Sequence, residues 1–215
     1  MNSSKPGKIV IISSPSGGGK TSICQRLLDS PTGRREGWLF SVSHTTRPKR
    51  PNETEGREYH FVDRDTYHRL ASQGYFAEHF SVHGHCYGTP RQPLDQALTE
   101  GRTILLDVDY QGALKLKDLY PEAITIFVLP PPPVQQSLRD RLRRRGTESP
   151  EELEVRFQNA LNEMKQFAKF EYVVINQVLE EAVNQVLSII ERHPDTRHPC
   201  RIANLDVEQI RSMIG

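Results

Sequence analysis

The stretch Ser14-Pro15-Ser16-Gly17-Gly18-Gly19-Lys20-Thr21 constrains this chain more than any other. It matches the pattern G-x-x-x-x-G-K-[ST] except at its first position, where Ser14 stands in place of glycine. Glycines let a backbone curl until several N–H groups point at one anion. The apolar run Ile9–Ser13 before the loop reads as a buried strand, and Thr21–Asp29 after it reads as a helix. That strand–loop–helix context separates a phosphate-binding loop from a glycine-rich turn. In such a loop Lys20 reaches the β- and γ-phosphates, the Thr21 hydroxyl ligates Mg²⁺, and the helix N-terminus adds partial positive charge. The expected ligand is a nucleoside triphosphate with Mg²⁺.

Further short apolar runs, Thr103–Asp107, Ile124–Leu129 and Tyr172–Ile175, read as buried strands. Helical patterns lie between and after them, at about Tyr110–Leu119, Val134–Arg144, Pro150–Lys169 and Leu179–Arg192, while Pro31–Gly37 reads as a connector. Strands alternating with helices predict an α/β fold, a parallel sheet covered on both faces. Residues 39–89 break the alternation. They hold an alternating strand (Leu39–Ser43), a polar loop, the short run YHFV, a helix near Asp63–Gln73 closed by Gly74, and then FAEHFSVHGHCYG. A small mixed α/β lobe inserted into the core is the reading.

Lys and Arg number 28 against 27 Asp and Glu, a net charge of +1, so ligand electrostatics must be local and a nucleic-acid partner is not expected. Two local clusters stand out. Arg47 and Arg50 lie beside the hydroxyls of Ser43, Thr45 and Thr46, with Glu53 placed to hold one arginine and Tyr59 and Tyr87 offering phenols. A second phosphate site or a solvated basic loop would both look like this. The arginine-rich run Arg139–Arg145 is compatible with a helix C-terminus facing solvent. Asp107 ends a strand where an acidic group often sits near Mg²⁺ and its waters, and Asp109 is the better candidate to cap the helix from Tyr110. Three widely spaced cysteines (Cys24, Cys86, Cys200) argue for a reducing cytoplasm over a disulfide framework. The polar Met1–Lys8 lacks a signal-peptide core, and no apolar run approaches the roughly 20 residues that span a bilayer. His83, His85 and Cys86, and His198 with Cys200, are metal-ligand types, yet structural zinc normally takes about four ligands.

SPSGGGKTS, FSVSHTTRPKRPNETEGREYHFV, FAEHFSVHGHCYGT, LLDVDYQGA, RLRRRGTES and VVIN, in this order between Lys8 and Arg192, resemble the guanylate kinase family. The resemblance explains Cys86-Tyr87-Gly88 without a metal. It implies a P-loop core (1–38, 90–133 and 170–192), a GMP-binding lobe (39–89) and a helical lid (134–169). The tail 193–215 stays outside it, with self-association left open. The implied reaction is ATP + GMP giving ADP + GDP, and nothing in the residues guards against dGMP.

Carried over residue by residue, Ser14–Ser22 (Ser14, Pro15, Ser16, Gly17, Gly18, Gly19, Lys20, Thr21 and Ser22) would hold the ATP phosphates. Asn176 would lie near the adenine, although Gln177-Val178 follow it where the family usually has acidic residues. Arg47, Arg50, Tyr59 and Tyr87, supported by Glu53, would hold the GMP phosphate. Glu78 and Asp109 would face the base, with Ser43 and Thr89 beside it. Guanine presents N1–H and 2-amino donors, and carboxylates only accept. Arg141, Arg145 and Arg156 would close over the transferring group with Lys20 and Arg47, and Thr21 and (through water) Asp107 would hold Mg²⁺. Two other readings exist: a guanylate-kinase-like module that binds a phosphorylated protein, and a kinase for another nucleoside monophosphate. The intact Gly19-Lys20-Thr21 opposes the first, and the two carboxylates oppose the second.

Overall fold

A computed structural model of the chain describes residues 6–51, 53–82, 84–143 and 150–215. Its larger sheet holds, among the described residues, β1 (Lys8–Ser13), β2 (Leu39–Phe40), β7 (Thr103–Asp107), β8 (Ile124–Leu129) and β9 (Tyr172–Ile175) in the order β2-β7-β1-β8-β9. Every pairing in it is parallel, with Val10 opposite Leu105 on one side and Ile124 on the other. β1 is therefore central, and the chain leaves it for strands on one side before returning to β8 and β9 on the other. A loop after such a strand opens at a point where the connections diverge, the usual binding crevice of an open α/β sheet.

The two-residue period of β1 puts its side chains on opposite faces. Ile9 and Ile11 join a core cluster with α4 (Arg91–Thr99), α5 (Tyr110–Leu119), α6 (Val134–Arg143), α7 (Pro150–Met164) and α9 (Val207–Ile214). Val10 and Ile12 join a second cluster with α1 (Lys20–Asp29) and α8 (Leu179–Arg192). Burial on both faces is why this strand is continuously apolar.

The smaller sheet is mixed: β3 (His44–Thr45) and β4 (His60–Phe61) are parallel, while β5 (Phe76–Val82) and β6 (His85–Pro90) run antiparallel, in the order β4-β3-β6-β5. The helix expected near Asp63–Gln73 is α3 (Arg64–Ser72), its N-terminus capped by the Asp63 carboxylate accepting from Thr66 N at 2.7 Å. The strand expected over Leu39–Ser43 is only β2, and it pairs with β7 in the larger sheet.

Two helices differ from expectation. Pro31–Gly37 is no mere connector: α2 (Pro31–Glu36) forms because Ser30 caps it, Pro31 takes a first-turn position and Gly37 ends it at φ 60°. α4 carries Pro93 in its first turn, where no intrahelical N–H is needed, so the proline that obscures it in the sequence does not break it.

The tail packs on the body of the protein. Val173 N donates to Cys200 O at 2.9 Å and Ile202 N to Glu171 O at 2.8 Å, so the tail covers part of the edge strand β9. α9 then buries Ile210 and Ile214, and Gln135 Nε2 of α6 donates to Ile214 O at 3.0 Å. Ile210→Ala is expected to lower stability by about 2 kcal/mol, the low end for such truncations because a terminal helix can relax. Chemical denaturation would measure it, and an unchanged midpoint would mean that the docking of α9 contributes nothing.

Candidate active site

The turn from β1 into α1 places Ser14–Thr21 on the wall of a cleft of about 900 Å³. Gly19 sits at φ 97°, a conformation that side chains avoid, and a Cβ there would lie 2.5 Å from Asn176 Nδ2. Asn176 is buried and does not line the cleft. Its Nδ2 donates to Gly18 O at 3.1 Å, bracing the loop from behind. The buried Ser14 hydroxyl donates to Pro15 O at 2.9 Å, so the residue that replaces glycine takes part in closing the loop. Ser22 is exposed on α1, beyond the cleft wall.

Asp107, at the end of β7, meets the start of α1. Thr21 Oγ1 donates to its Oδ2 at 2.5 Å, and Lys20 Nζ lies 3.6 Å from its Oδ1. Two hard oxygen donors beside a phosphate loop suit Mg²⁺, which keeps most of its waters and takes few protein ligands.

The lobe supplies the opposite wall. Arg47 forks onto Glu53 with Nη1···Oε2 3.0 Å and Nη2···Oε1 2.7 Å, and Glu53 also accepts from Arg50 N at 2.8 Å. Glu53 thus chiefly fixes Arg47, and the Arg50 guanidinium stands 3.7 Å away. Burial works against both charges of this pair. Their mutual hydrogen bonds more than offset it, holding Glu53 below its usual carboxylate range and Arg47 above its own. The Arg47 guanidinium lies 5.5 Å from the Tyr59 ring, and Tyr59 and Tyr87 meet edge to face at 5.9 Å. Burial raises the Tyr59 phenol, so it stays a proton donor.

Deeper in the lobe, Glu78 on β5 is 3% exposed. Its Oε1 accepts from Thr89 Oγ1 at 2.6 Å, Thr89 lies 3.4 Å from Ser43 Oγ, and Glu78 Oε2 has no hydrogen-bond partner among the described residues. A buried carboxylate oxygen without a partner, on a residue that lines a cleft, is a waiting acceptor. Burial, aided by the charge of Asp109, pushes the Glu78 carboxyl up to about 7. Asp109 is raised too, again by burial first, and it caps α5 by accepting from Gly112 N at 2.8 Å. It fills the capping role and lines the cleft at once. A Cβ on Gly112 would come 2.9 Å from Phe80 Cε1 and 3.2 Å from Glu78 Oε2, so a glycine here lets Phe80 and Glu78 lie against the first turn of α5.

The helices after β8 close the third side. Arg141 of α6 donates to Asn176 O at 2.8 Å and to Gly18 O at 3.4 Å, a grip on the back of the loop. Arg156 of α7 lines the cleft and donates to Ser16 Oγ at 3.1 Å. Arg145 and Arg144 lie outside the described residues, as does His83. Sequence reasoning missed Asn159 and Glu163 of α7, both on the cleft wall. Their spacing from Arg156 places all three on one helix face, which was the available signal. His198 Nδ1 accepts from Cys200 N at 3.2 Å, and Nε2 faces Ser188 Oγ at 3.2 Å, so its ring nitrogens face local groups.

A family model described as guanylate kinase matches residues 6–193. The chain belongs to the guanylate kinase family. A guanylate kinase of Thiobacillus denitrificans is 42% identical over 184 residues, 86% of this chain and 85% of that one. One from Thermotoga maritima is 40% identical over 204 residues, covering 94% and 96%. A solved guanylate kinase structure from Anaplasma phagocytophilum aligns over 96% of this chain and 94% of that one, with TM-score 0.70 and 31% identity. The guanylate kinase match stops near the start of the tail, yet a relative from Alkalilimnicola ehrlichii aligns over 98% of the chain at 37% identity. Among the described residues no helix is long and apolar enough to cross a membrane.

Proposed function

We propose that this protein catalyses reversible transfer of the γ-phosphoryl group of ATP to GMP, giving ADP and GDP in purine nucleotide metabolism. The observation that carries the reading is one cleft with a phosphate loop on one wall and, on another, two carboxylates, one with a buried oxygen that lacks a hydrogen-bond partner among the described residues. Guanine offers two adjacent donors, N1–H and the 2-amino group, to Glu78 and Asp109. The Ser43 and Thr89 hydroxyls stand beside them. Adenine lacks both donors and would leave the carboxylates poorly paired.

The attacking atom is a phosphate oxygen of GMP, already anionic, so no general base is required. Catalysis reduces to aligning two polyanions and neutralising their charge. Arg47, held rigid by Glu53, grips the GMP phosphate with Arg50, Tyr59 and Tyr87. Lys20 and the loop N–H groups take the ATP phosphates, and Arg156, with Arg145, offsets the charge that develops between them, while Arg141, expected from the sequence to join them, braces the loop from behind. Thr21 and, through water, Asp107 would hold Mg²⁺, which when bound neutralises charge on the β- and γ-phosphate oxygens. The thiols Cys24, Cys86 and Cys200 are unpaired, which supports a reducing cytoplasm as the site of action. A coupled ADP-release assay with ATP and each of GMP, AMP, CMP, UMP and dTMP tests the reading. GMP is expected to be the strongly preferred acceptor, and equal rates with all five would refute it.

The Glu78 carboxyl adds a pH signature. Its ordinary value is 4.5 and its folded value about 7, so over that window the folded protein holds a proton that the unfolded chain has lost. Its contribution to stability therefore falls as pH rises through the window. Binding guanine requires the ionised form. The KM for GMP should rise as pH drops below about 7, by up to about tenfold per unit. Glu78→Gln should remove this step while the titration of the GMP phosphate itself remains in both enzymes. Superimposable pH profiles would separate Glu78 from base binding.

A further inference from the structure

We propose that Glu163 is a positioning residue for phosphoryl transfer: it pins the phosphate loop at Ser16 and thereby sets Arg156 over the same residue. This rests on the reading of Ser14–Thr21 and Arg156 as the ATP-phosphate site. Two bonds converge on Ser16 from one helix. Glu163 Oε2 accepts from Ser16 N at 3.1 Å, and Arg156 Nη2 donates to Ser16 Oγ at 3.1 Å. Glu163 follows Arg156 by two helical turns, so both project from the same face of α7. The adjacent face is anchored, because Phe157, Ala160 and Met164 are fully buried in the core. α7 is therefore seated on the core, and the Glu163–Ser16 bond sets its register against the loop.

The loop needs this fixing. Gly17 and Gly19 on either side of Gly18 adopt positive φ, which gives the backbone its curl but little stiffness of its own. Its far side is held by Asn176 and Arg141 through Gly18 O. Its near side, at Ser16, is held by α7. Burial raises the Glu163 carboxyl, while Lys20, the Ser16 N–H and Arg156 pull the other way. A charged acceptor on a backbone N–H is a strong bond, and its loss would let Ser16 and Arg156 drift from the position where the transferring group is neutralised.

Glu163→Gln and Glu163→Met separate positioning from packing, since both keep the length of the side chain and only glutamine keeps an acceptor for Ser16 N. The KM for ATP, the KM for GMP and kcat would be measured for each, with thermal melting as a folding control. Glu163→Met is expected to lower kcat/KM for ATP by about 10- to 100-fold with the KM for GMP within about twofold of wild type. Glu163→Gln should recover most of that loss. Equal damage from both variants, equal effects on both substrates, or no effect of Glu163→Met would each overturn the proposal. Lys20→Met in parallel isolates the underlying reading: if it is inactive while Glu163→Met is as fast as wild type, the phosphate loop stands and only the role of Glu163 falls.

Discussion

Replacing Lys20 by methionine should lower kcat by on the order of 10² or more while the protein still folds. Methionine matches the length of the lysine stem and is accepted at the first turn of α1. The contact it loses, 3.6 Å to Asp107, is partly exposed, and Asp107 keeps its hydrogen bond from Thr21. What disappears is a point charge that would sit on the β- and γ-phosphates as negative charge shifts toward the leaving oxygen. The effect should therefore concentrate in kcat, because the interaction strengthens in the transition state. Steady-state rates at saturating ATP and GMP, alongside a melting curve, make the measurement. A folded Lys20→Met enzyme turning over at the wild-type rate would sink the assignment of the loop.

The second large effect concerns the base. GMP should be phosphorylated far faster than AMP, and IMP, which lacks the 2-amino group, should be a poor acceptor. Glu78→Gln should raise the KM for GMP by about 10- to 100-fold, the worth of one or two hydrogen bonds to a charged acceptor, and leave the KM for ATP nearly alone. It should also narrow the gap between GMP and IMP, since the carboxylate that rewards the extra donor is gone. Glu78 is buried, so the variant needs a stability control. The neutral amide avoids burying a charge, and folding should survive. A wild-type enzyme that preferred AMP would show that these carboxylates face something other than guanine.

The features legible in the sequence are those that neighbouring residues determine together. The phosphate loop is one, because the glycines, Lys20 and Thr21 are contiguous and the flanking strand and helix carry their own periods. The cap of α5 is another: Asp109 lies three residues before Gly112, the distance a capping carboxylate spans. The buried strands Thr103–Asp107, Ile124–Leu129 and Tyr172–Ile175 were legible because burial on both faces leaves an uninterrupted apolar run. The partner of Glu53 was legible only in part. The carboxylate does hold an arginine, but chiefly Arg47, because the loop folds back on itself and brings the more distant residue into bidentate geometry.

Other features had no local signal. Nothing in the short run Leu39–Phe40 says that it pairs with β7. Nothing around His193 says that the tail will cover β9 and lay α9 against α6. Glu163 and Ser16 are 147 residues apart, and Asn176 and Gly18 are 158 apart. The sequence by itself determined the phosphate loop, the strands and the residue types proposed to recognise two phosphates and a base. Only the tertiary structure decided which distant carboxylate, amide and guanidinium would brace that loop. The reason is physical: a turn, a cap or an amphipathic face depends on residues within a few positions, whereas the contact of α7 with Ser16 exists only once Phe157, Ala160 and Met164 have packed into the core and fixed the angle of the helix.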